Sequence, residues 1–285
     1  MKLPSFDYAC PTSIAEAVAL LASRNGEAKL LAGGQSLVPM LAFRVASPAL
    51  VVDLRKLSDL RQITIKDGAV TLRAMVRWRD ILEHPHLSAA HPLLAQAVEH
   101  VGHYQIRNRG TVGGSLAHAD PAAELPAIAV TCEARIAAVG EAGERVIEAK
   151  DFFRGPLTTA LMPDEIITEL RLPAWPAKRR FGFCEFARRR GDFALAGTAV
   201  FYDEDGGKVA NAHVGALGVS DRPVRLRAVE EALNGKPIDE ATIAQAETEA
   251  SAAVDPPDDI HATGAYRKTL IGVMVERALR SALAR

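Results

Sequence analysis

Two stretches of this chain set a glycine pair and a small hydroxyl residue between an apolar run and the start of a helix: LLAGGQSLVPML at 30–41 and TVGGSLA at 111–117. A strand that ends in Gly-Gly can aim several backbone amides at one anion, because no Cβ stands in the way. A helix start adds its own unpaired amides. Two such turns suit a pyrophosphate without any nearby lysine cluster; they equally suit two tight turns packed against strands. Neither matches GxGxxG or GxxxxGKS/T, so neither a Rossmann dinucleotide fold nor a P-loop ATPase is indicated.

The rest of the chain reads as ordinary globular α and β segments around these turns. At 285 residues it has length for about two domains, and 48% hydrophobic residues supply their cores. Lys and Arg number 34 against 35 Asp and Glu, a balance that leaves no overall footprint for nucleic acid or an anionic membrane. The amino terminus, MKLPSFDYACPTS, lacks the apolar core of a secretory signal, and no run has the length of a membrane span. The expectation is a cytoplasmic protein with no membrane insertion. Cys10, Cys132 and Cys184 lie far apart with no CxxC pair, which reads as thiols packed as small apolar groups.

TSIAEAVALLASRNG predicts a helix capped by Thr12 or Ser13 and stopped at Asn25-Gly26. EAKLLAGG is a short buried strand, SLVPMLAFR a short helix interrupted by Pro39, and ALVVDL a second strand, which together make a small α/β unit ending near residue 55. ITIKDGAVTLRA predicts a hairpin on Asp67-Gly68. RWRDILEH and PLLAQAVEHVG are helices, Asp120-Pro121 is a helix start with a capping acid, and EARIAAVGEAGERVIEA is another hairpin. Two prolines and a basic cluster in LPAWPAKRR mark a linker, with a domain boundary near residue 176. Beyond it FGFCEFARR, ALAGTAVFYD and KVANAHVGALG predict three antiparallel strands, the last two joined at Asp205-Gly206-Gly207, followed by three helices.

Taken in order, LLAGGQSLVPML, QIRNRGTVGGSLAHADPAAELP, DEIIT, RRRGDFALAG and RKTLIGVMVERAL resemble the medium, FAD-binding subunit of the molybdenum hydroxylases. That family includes xanthine dehydrogenase and aerobic carbon monoxide dehydrogenase. The resemblance runs over nearly the whole chain and implies an α+β protein. Residues 1–176 would form an FAD-binding domain of the vanillyl-alcohol oxidase (PCMH) type, in subdomains of about 1–55 and 56–176. Residues 177–285 would form a small C-terminal α+β domain of the carbon monoxide dehydrogenase flavoprotein type, a three-stranded antiparallel sheet with helices.

Non-covalent FAD would lie between the domains. By position in the motifs, Lys29, Leu30, Leu31, Ala32, Gly33, Gly34, Gln35 and Ser36 match the first FAD loop, and Thr111, Val112, Gly113, Gly114 and Ser115 the second. Glu124 stands where the family has an acidic residue near the ribose or phosphate, Ile167 aligns with an apolar flavin contact, and Phe193 with an aromatic near the isoalloxazine ring. Ser115 replaces an Asn found in many members, and Cys184-Glu185 occupies a strand position where many carry a lysine. Gly33→Val or Gly114→Val is expected to remove flavin with little change in fold.

The resemblance also implies a division of labour. No nucleophile, base and orienting-group array is visible, and no cysteine cluster, so no catalytic or metal-ligating residue is assigned. Electrons would pass from substrate to a molybdenum cofactor on a large molybdopterin-binding subunit. Two [2Fe-2S] clusters on a small subunit would carry them on to FAD on this chain, which passes them to an external acceptor, in an (αβγ)2 assembly. The alternative is a stand-alone flavin reductase or oxidase of related fold, which would need its own acid and substrate pocket; a third reading is a subunit that has lost its cofactor. Among other residues, His118 beside the second turn can touch cofactor or substrate. Arg188, Arg189 and Arg190 read as a solvated or inter-domain run, Arg107 and Asn108 as loop-fixing residues, Trp78 and Trp175 as packing, and His100 and His103 as a pair without further ligands.

Overall fold

The computed structural model describes residues 2–285. The amino-terminal unit is a parallel three-stranded sheet in the order Asp7–Ala9, Leu50–Asp53, Ala28–Leu31. Its central strand is buried at every position, as a parallel strand covered on both faces must be. The edge strand Asp7–Ala9 lies outside the sequence expectation, because a short polar segment becomes a strand only through its partner. Helix Ile14–Ala22 starts at Ser13, whose side chain accepts from the Glu16 amide. Helix Leu37–Ala42 is not interrupted at Pro39. The proline sits in the first turn, where its missing amide has no intrahelical partner to lose.

The second unit is an antiparallel five-stranded sheet in the order Ile63–Lys66, Ala69–Arg73, Ile166–Leu172, Arg135–Gly140, Gly143–Glu148. The first two strands turn on Asp67 and Gly68, both with positive φ (51° and 78°), as a two-residue hairpin of this hand demands. The helix expected at Asp120-Pro121 begins instead at Glu124 and runs to Thr131. Ala119 closes the preceding helix in a left-handed conformation. The Asp120 carboxylate then accepts from the Ala122 amide at 2.8 Å, and its carbonyl from Ala123 at 3.1 Å. That local turn takes the place of the first helical turn.

The carboxyl-terminal unit is an antiparallel sheet in the order Arg180–Phe186, Ala196–Asp205, Lys208–Leu217, Val224–Arg225, covered by helices Arg227–Leu233, Glu240–Ala252 and Gly264–Leu283. The three expected strands are joined by a fourth of two residues, paired to Gly215 and Ala216. Nothing in a two-residue run announces pairing; tertiary contact makes it. The closing helix lies directly on the sheet: a Cβ at Gly182 would stand 2.2 Å from the Ala278 carbonyl oxygen. Helix Glu124–Thr131 is buried from Leu125 onward. Its core joins Leu72, Leu94 and Ile128 to Phe183 and Phe201 of the carboxyl-terminal sheet. The two sheets therefore share packing through this helix, and its half-buried start borders the space between the units.

Candidate functional site

That space is a cavity of about 1380 Å³, walled by both glycine turns, the start of helix Glu124–Thr131, and loops of the carboxyl-terminal unit. Of the residues matched to cofactor binding by motif, Lys29, Leu30, Ala32, Gly33, Gly34, Gln35, Ser36, Thr111, Gly113, Gly114, Ser115, Glu124, Ile167 and Phe193 line it. Leu31 and Val112 do not. Val112 is fully buried in the core, and the Leu31 side chain packs beneath Gly34. Their neighbours in sequence form the wall, so any part these two play is through the backbone.

The first turn is an open donor set. The amides of Gly33, Gly34, Gln35 and Ser36 donate to no acceptor among the described residues, while Gln35 turns its side-chain amide back onto the Gly33 carbonyl at 3.1 Å. Gly34 has φ 74°, a backbone state that L side chains rarely adopt. Unpaired amides facing a cavity are the backbone's own anion site.

The second turn is built differently. Val112 donates to Val76 at 2.9 Å, Gly113 to Ala74 at 2.7 Å, Gly114 to the Thr111 hydroxyl at 3.2 Å, and Ser115 to the Thr111 carbonyl at 3.0 Å. All four amides are engaged within the protein. The expectation of a second amide cradle is thereby corrected. Here glycine permits close packing: a Cβ at Gly113 would lie 2.7 Å from Ala74 Cβ, and one at Gly114 2.8 Å from Thr111 Oγ1. Thr111, Gly113, Gly114 and Ser115 of this turn line the cavity. Gly33→Val and Gly114→Val would accordingly disturb the fold as well as the site.

Glu124 stands at the cavity wall with its carboxyl pushed up to about 8, chiefly by burial, then by the charge of Glu185 and of Asp120. It is a protonated acid at neutral pH. Ile167 sits at an irregularity in its strand, where pairing with Arg135–Gly140 shifts register. Phe193 is 63% exposed and lies at the cavity wall. His118 and Arg188 also line the cavity, whereas Arg189 and Arg190 do not. Tyr104, at 68% exposure, lies off it.

Arg267 and Asp259 escaped the sequence reading. Arg267, 6% exposed, donates to the carbonyls of Leu195 at 2.7 Å and Gly218 at 2.8 Å and to Asp259 at 2.6 Å. It ties three loops of the cavity wall together. Its only sequence signal is an arginine in the first turn of the closing helix, one of several charged residues there.

FAD fits this donor set. The unpaired amides at 33–36 supply what a diphosphate needs, and the cavity has room for a dinucleotide together with its ring system. No group of three or more His, Cys, Asp or Glu converges as a metal site among the described residues, and no helix among them is long and apolar enough to cross a membrane.

Comparison with known proteins agrees with this geometry. The family model described as the FAD binding domain in molybdopterin dehydrogenase matches residues 4–175, and that of the CO dehydrogenase flavoprotein C-terminal domain matches residues 181–282. The chain is 39% identical over 287 residues to the 6-hydroxypseudooxynicotine dehydrogenase complex subunit alpha of Paenarthrobacter nicotinovorans, covering 100% of this chain and 97% of that protein. It is 35% identical over 282 residues to the carbon monoxide dehydrogenase medium chain of Hydrogenophaga pseudoflava, covering 99% and 98%. Among solved structures, carbon monoxide dehydrogenase from Hydrogenophaga pseudoflava superposes with a TM-score of 0.97 at 37% identity, covering 100% of this chain and 99% of that one. Quinoline 2-oxidoreductase from Pseudomonas putida 86 superposes with a TM-score of 0.95 at 37% identity, covering 100% and 99%.

Proposed function

The chain belongs to the FAD-binding medium subunits of the molybdenum hydroxylases, and from that premise we propose that it relays electrons from iron–sulfur clusters of a partner subunit, through FAD, to an external acceptor. As a subunit of an oxidoreductase it uses FAD, with the molybdenum cofactor and [2Fe-2S] clusters on partner chains. FAD supplies the two-electron store that can be filled one electron at a time. The residues of this chain hold and orient it. The unpaired amides of residues 33–36 would hold the diphosphate, Ser36 and Ser115 would add hydroxyl donors, Glu124 would stand by the polar part of the cofactor, and Ile167 and Phe193 would offer apolar surface to the ring. The two domains meet near residue 176, with the cofactor between them. Partners are a large molybdopterin-binding subunit and a small [2Fe-2S] subunit in a cytoplasmic (αβγ)2 assembly.

The observation that carries this reading is the set of unpaired amides at Gly33–Ser36 opening on a cavity walled by all three units. Expression of the chain alone should give a yellow protein, or a colourless one that turns yellow on adding FAD. Its flavin should be reduced by a hydroxylase substrate only when the partner subunits are present. A chain that takes up no FAD would refute the reading.

The stand-alone reductase reading has one feature in its favour, the Glu124 carboxyl in the cavity wall, which burial pushes up to about 8. It predicts turnover of NAD(P)H with a small acceptor in the absence of partners.

A further inference from the structure

The loop between strands Arg180–Phe186 and Ala196–Asp205 carries Arg188, Arg189 and Arg190, all exposed. Elsewhere in the carboxyl-terminal unit Arg179, Arg225, Arg267 and Arg280 are each held by a carboxylate. The three loop arginines meet none among the described residues; Arg188 donates to the His261 carbonyl at 3.0 Å. Nor do they make the loop's contact with the flavin domain, which is main chain. Gly191, at φ 91°, lies so close that a Cβ on it would stand 2.9 Å from the Gly102 carbonyl oxygen and 3.3 Å from the His103 nitrogen. The loop tip is thus seated while its cations stay in water. The same contact brings the loop beside His103 and Tyr104, both exposed, Tyr104 by 68%. Phe193, two residues past the seat, lies at the cavity wall, whereas Arg189, Arg190 and Tyr104 stand outside the cavity. Against the three arginines the segment from Arg188 to Phe193 holds a single acid, Asp192.

We propose that this patch, Arg188, Arg189 and Arg190 with Tyr104 and Phe193, is the docking surface for an acidic electron-carrier protein that collects electrons from the flavin. The proposal rests on the electron-relay reading above and gives its external acceptor a chemical class. Reach favours a protein over a small anion. Arg189 and Arg190 lie off the cavity, out of contact with a small molecule inside it, whereas a protein laid across the loop meets them together with both aromatic rings. Arginine and aromatic side chains are also those that protein contacts favour. Charge fits a passing partner better than a permanent one. A subunit held for good is joined mainly through apolar surface, while a carrier that must arrive and leave uses a small charged patch, which speeds encounter more than it tightens binding. Position fits as well: Phe193 belongs both to the patch and to the cavity wall, so a carrier seated here stands next to the cofactor space. Each reduced flavin gives its two electrons to two oxidised carriers in turn, one to each, and its protons pass to water.

Two redox proteins of opposite charge, acidic plastocyanin and basic cytochrome c, test this on the full chain. Oxidised plastocyanin should reoxidise the photoreduced, FAD-loaded chain at least about tenfold faster in about 0.01 M salt than in about 1 M, a range over which the screening length falls from about 30 to about 3 Å. Arg189→Glu combined with Arg190→Glu should slow that reaction at least about tenfold in low salt and speed the reaction with cytochrome c. FAD content, visible spectrum and reoxidation by neutral benzoquinone should not change. Equal plastocyanin rates in parent and double variant overturn the proposal; if ferricyanide alone is slowed, the arginines serve a small anion instead. In the FAD-free parent chain, plastocyanin in low salt should shift the amide NMR signals of residues 103–104 and 188–193. Shifts confined to other residues overturn the proposal, as does an absence of shifts with binding to anionic phospholipid vesicles in their place. A chain that takes up no FAD would end the relay reading, and the amide shifts would still decide whether the patch receives an acidic protein.

Discussion

Gly33 lies against Arg109 so closely that a Cβ on the glycine would stand 2.2 Å from the arginine's carbonyl oxygen. The same methyl group would come within 2.9 Å of Gly110 Cα, and a Cβ on Gly110 would in turn meet Trp78 Nε1 at 2.6 Å. The two glycine turns are thus latched back to back by main chain, with Trp78 as the backing. The latch alone requires glycine at 33.

Gly33→Ala should therefore lower the stability of the FAD-free chain by about 1–3 kcal/mol, the range of an overpacked core, and weaken FAD binding along with it. Ser36→Ala touches no such contact and should weaken FAD binding while leaving the thermal midpoint of the FAD-free chain unchanged. Thermal melts of both variants beside FAD titrations test this. A Gly33→Ala chain as stable as the parent would show that no such latch exists.

Glu124 gives the FAD-free chain a pH dependence of definite sign. Its folded value, about 8, lies above the unfolded one. At low pH both states hold the proton and nothing is lost; as pH rises past the ordinary carboxylate range the unfolded chain releases it first, so stability falls until the folded group also ionises. Glu124→Gln should match the parent near pH 4 and exceed it at pH 9 by at least about 1.4 kcal/mol, the free energy that corresponds to a tenfold difference in proton affinity between the folded and unfolded chain. Urea unfolding across that range, read by tryptophan fluorescence, provides the check.

His91 works in the opposite sense. It is fully buried, its ring 4.7 Å from that of Trp175, and burial, aided by the charge of Arg179, pushes it down to about 4. Nδ1 accepts from the Leu94 amide at 3.2 Å, which caps helix Pro92–Val98, and Nε2 has no partner. Above the ordinary histidine value both states are neutral. As pH falls from there toward 4 the unfolded chain gains a proton that the folded one refuses, and stability is lost. His91→Asn keeps a capping acceptor but cannot titrate. It should flatten the stability profile between about pH 6.5 and 4, at the expense of packing against Trp175 at all pH values.

How much of this was legible in sequence divides along physical lines. The Asp67-Gly68 hairpin, the Ser13 cap and the helical spacing of the closing segment are local, and local chemistry fixes them. The strands Asp7–Ala9 and Val224–Arg225 exist only by pairing with distant segments, and no window of residues reveals that. The glycine pairs are the instructive case. Both set a glycine pair and a hydroxyl residue at a helix start, yet one leaves its amides open and the other engages every one, because Gly113-Gly114 fall inside the helix behind the Thr111 cap and Ala74 and Val76 of a separate segment supply further acceptors. The motif located the cavity wall; the segment after strand Ala69–Arg73 decided which turn keeps its amides unpaired. Arg267 was invisible for the same reason, since its role lies in carbonyls 49 and 72 residues away.

Arg267 yields the last prediction. Its guanidinium reaches the carbonyls of Leu195 and Gly218 with one nitrogen and Asp259 with another. The Gly218 amide itself donates to Pro121 at 2.9 Å, so the closing helix is connected through two bonds to the turn that precedes Glu124. Burial opposes the charge on Asp259, but amides of Ala262 and His261 and the Arg267 guanidinium together hold its carboxyl down at about 2. Arg267→Met keeps the length of the side chain and removes every donor, leaving buried carbonyls unsatisfied at about 1–3 kcal/mol for each group. Arg267→Lys keeps the charge but lacks the planar fork that spans separate acceptors, so it should recover only part of the loss. Hydrogen exchange should accelerate in residues 255–263 and 218–221 in both variants, more in Arg267→Met, while helix Glu240–Ala252 exchanges as before. FAD affinity should fall in the same order, because the loops released are those that wall the cavity. Exchange confined to the closing helix, with the loops unchanged, would mean that Arg267 braces the helix alone.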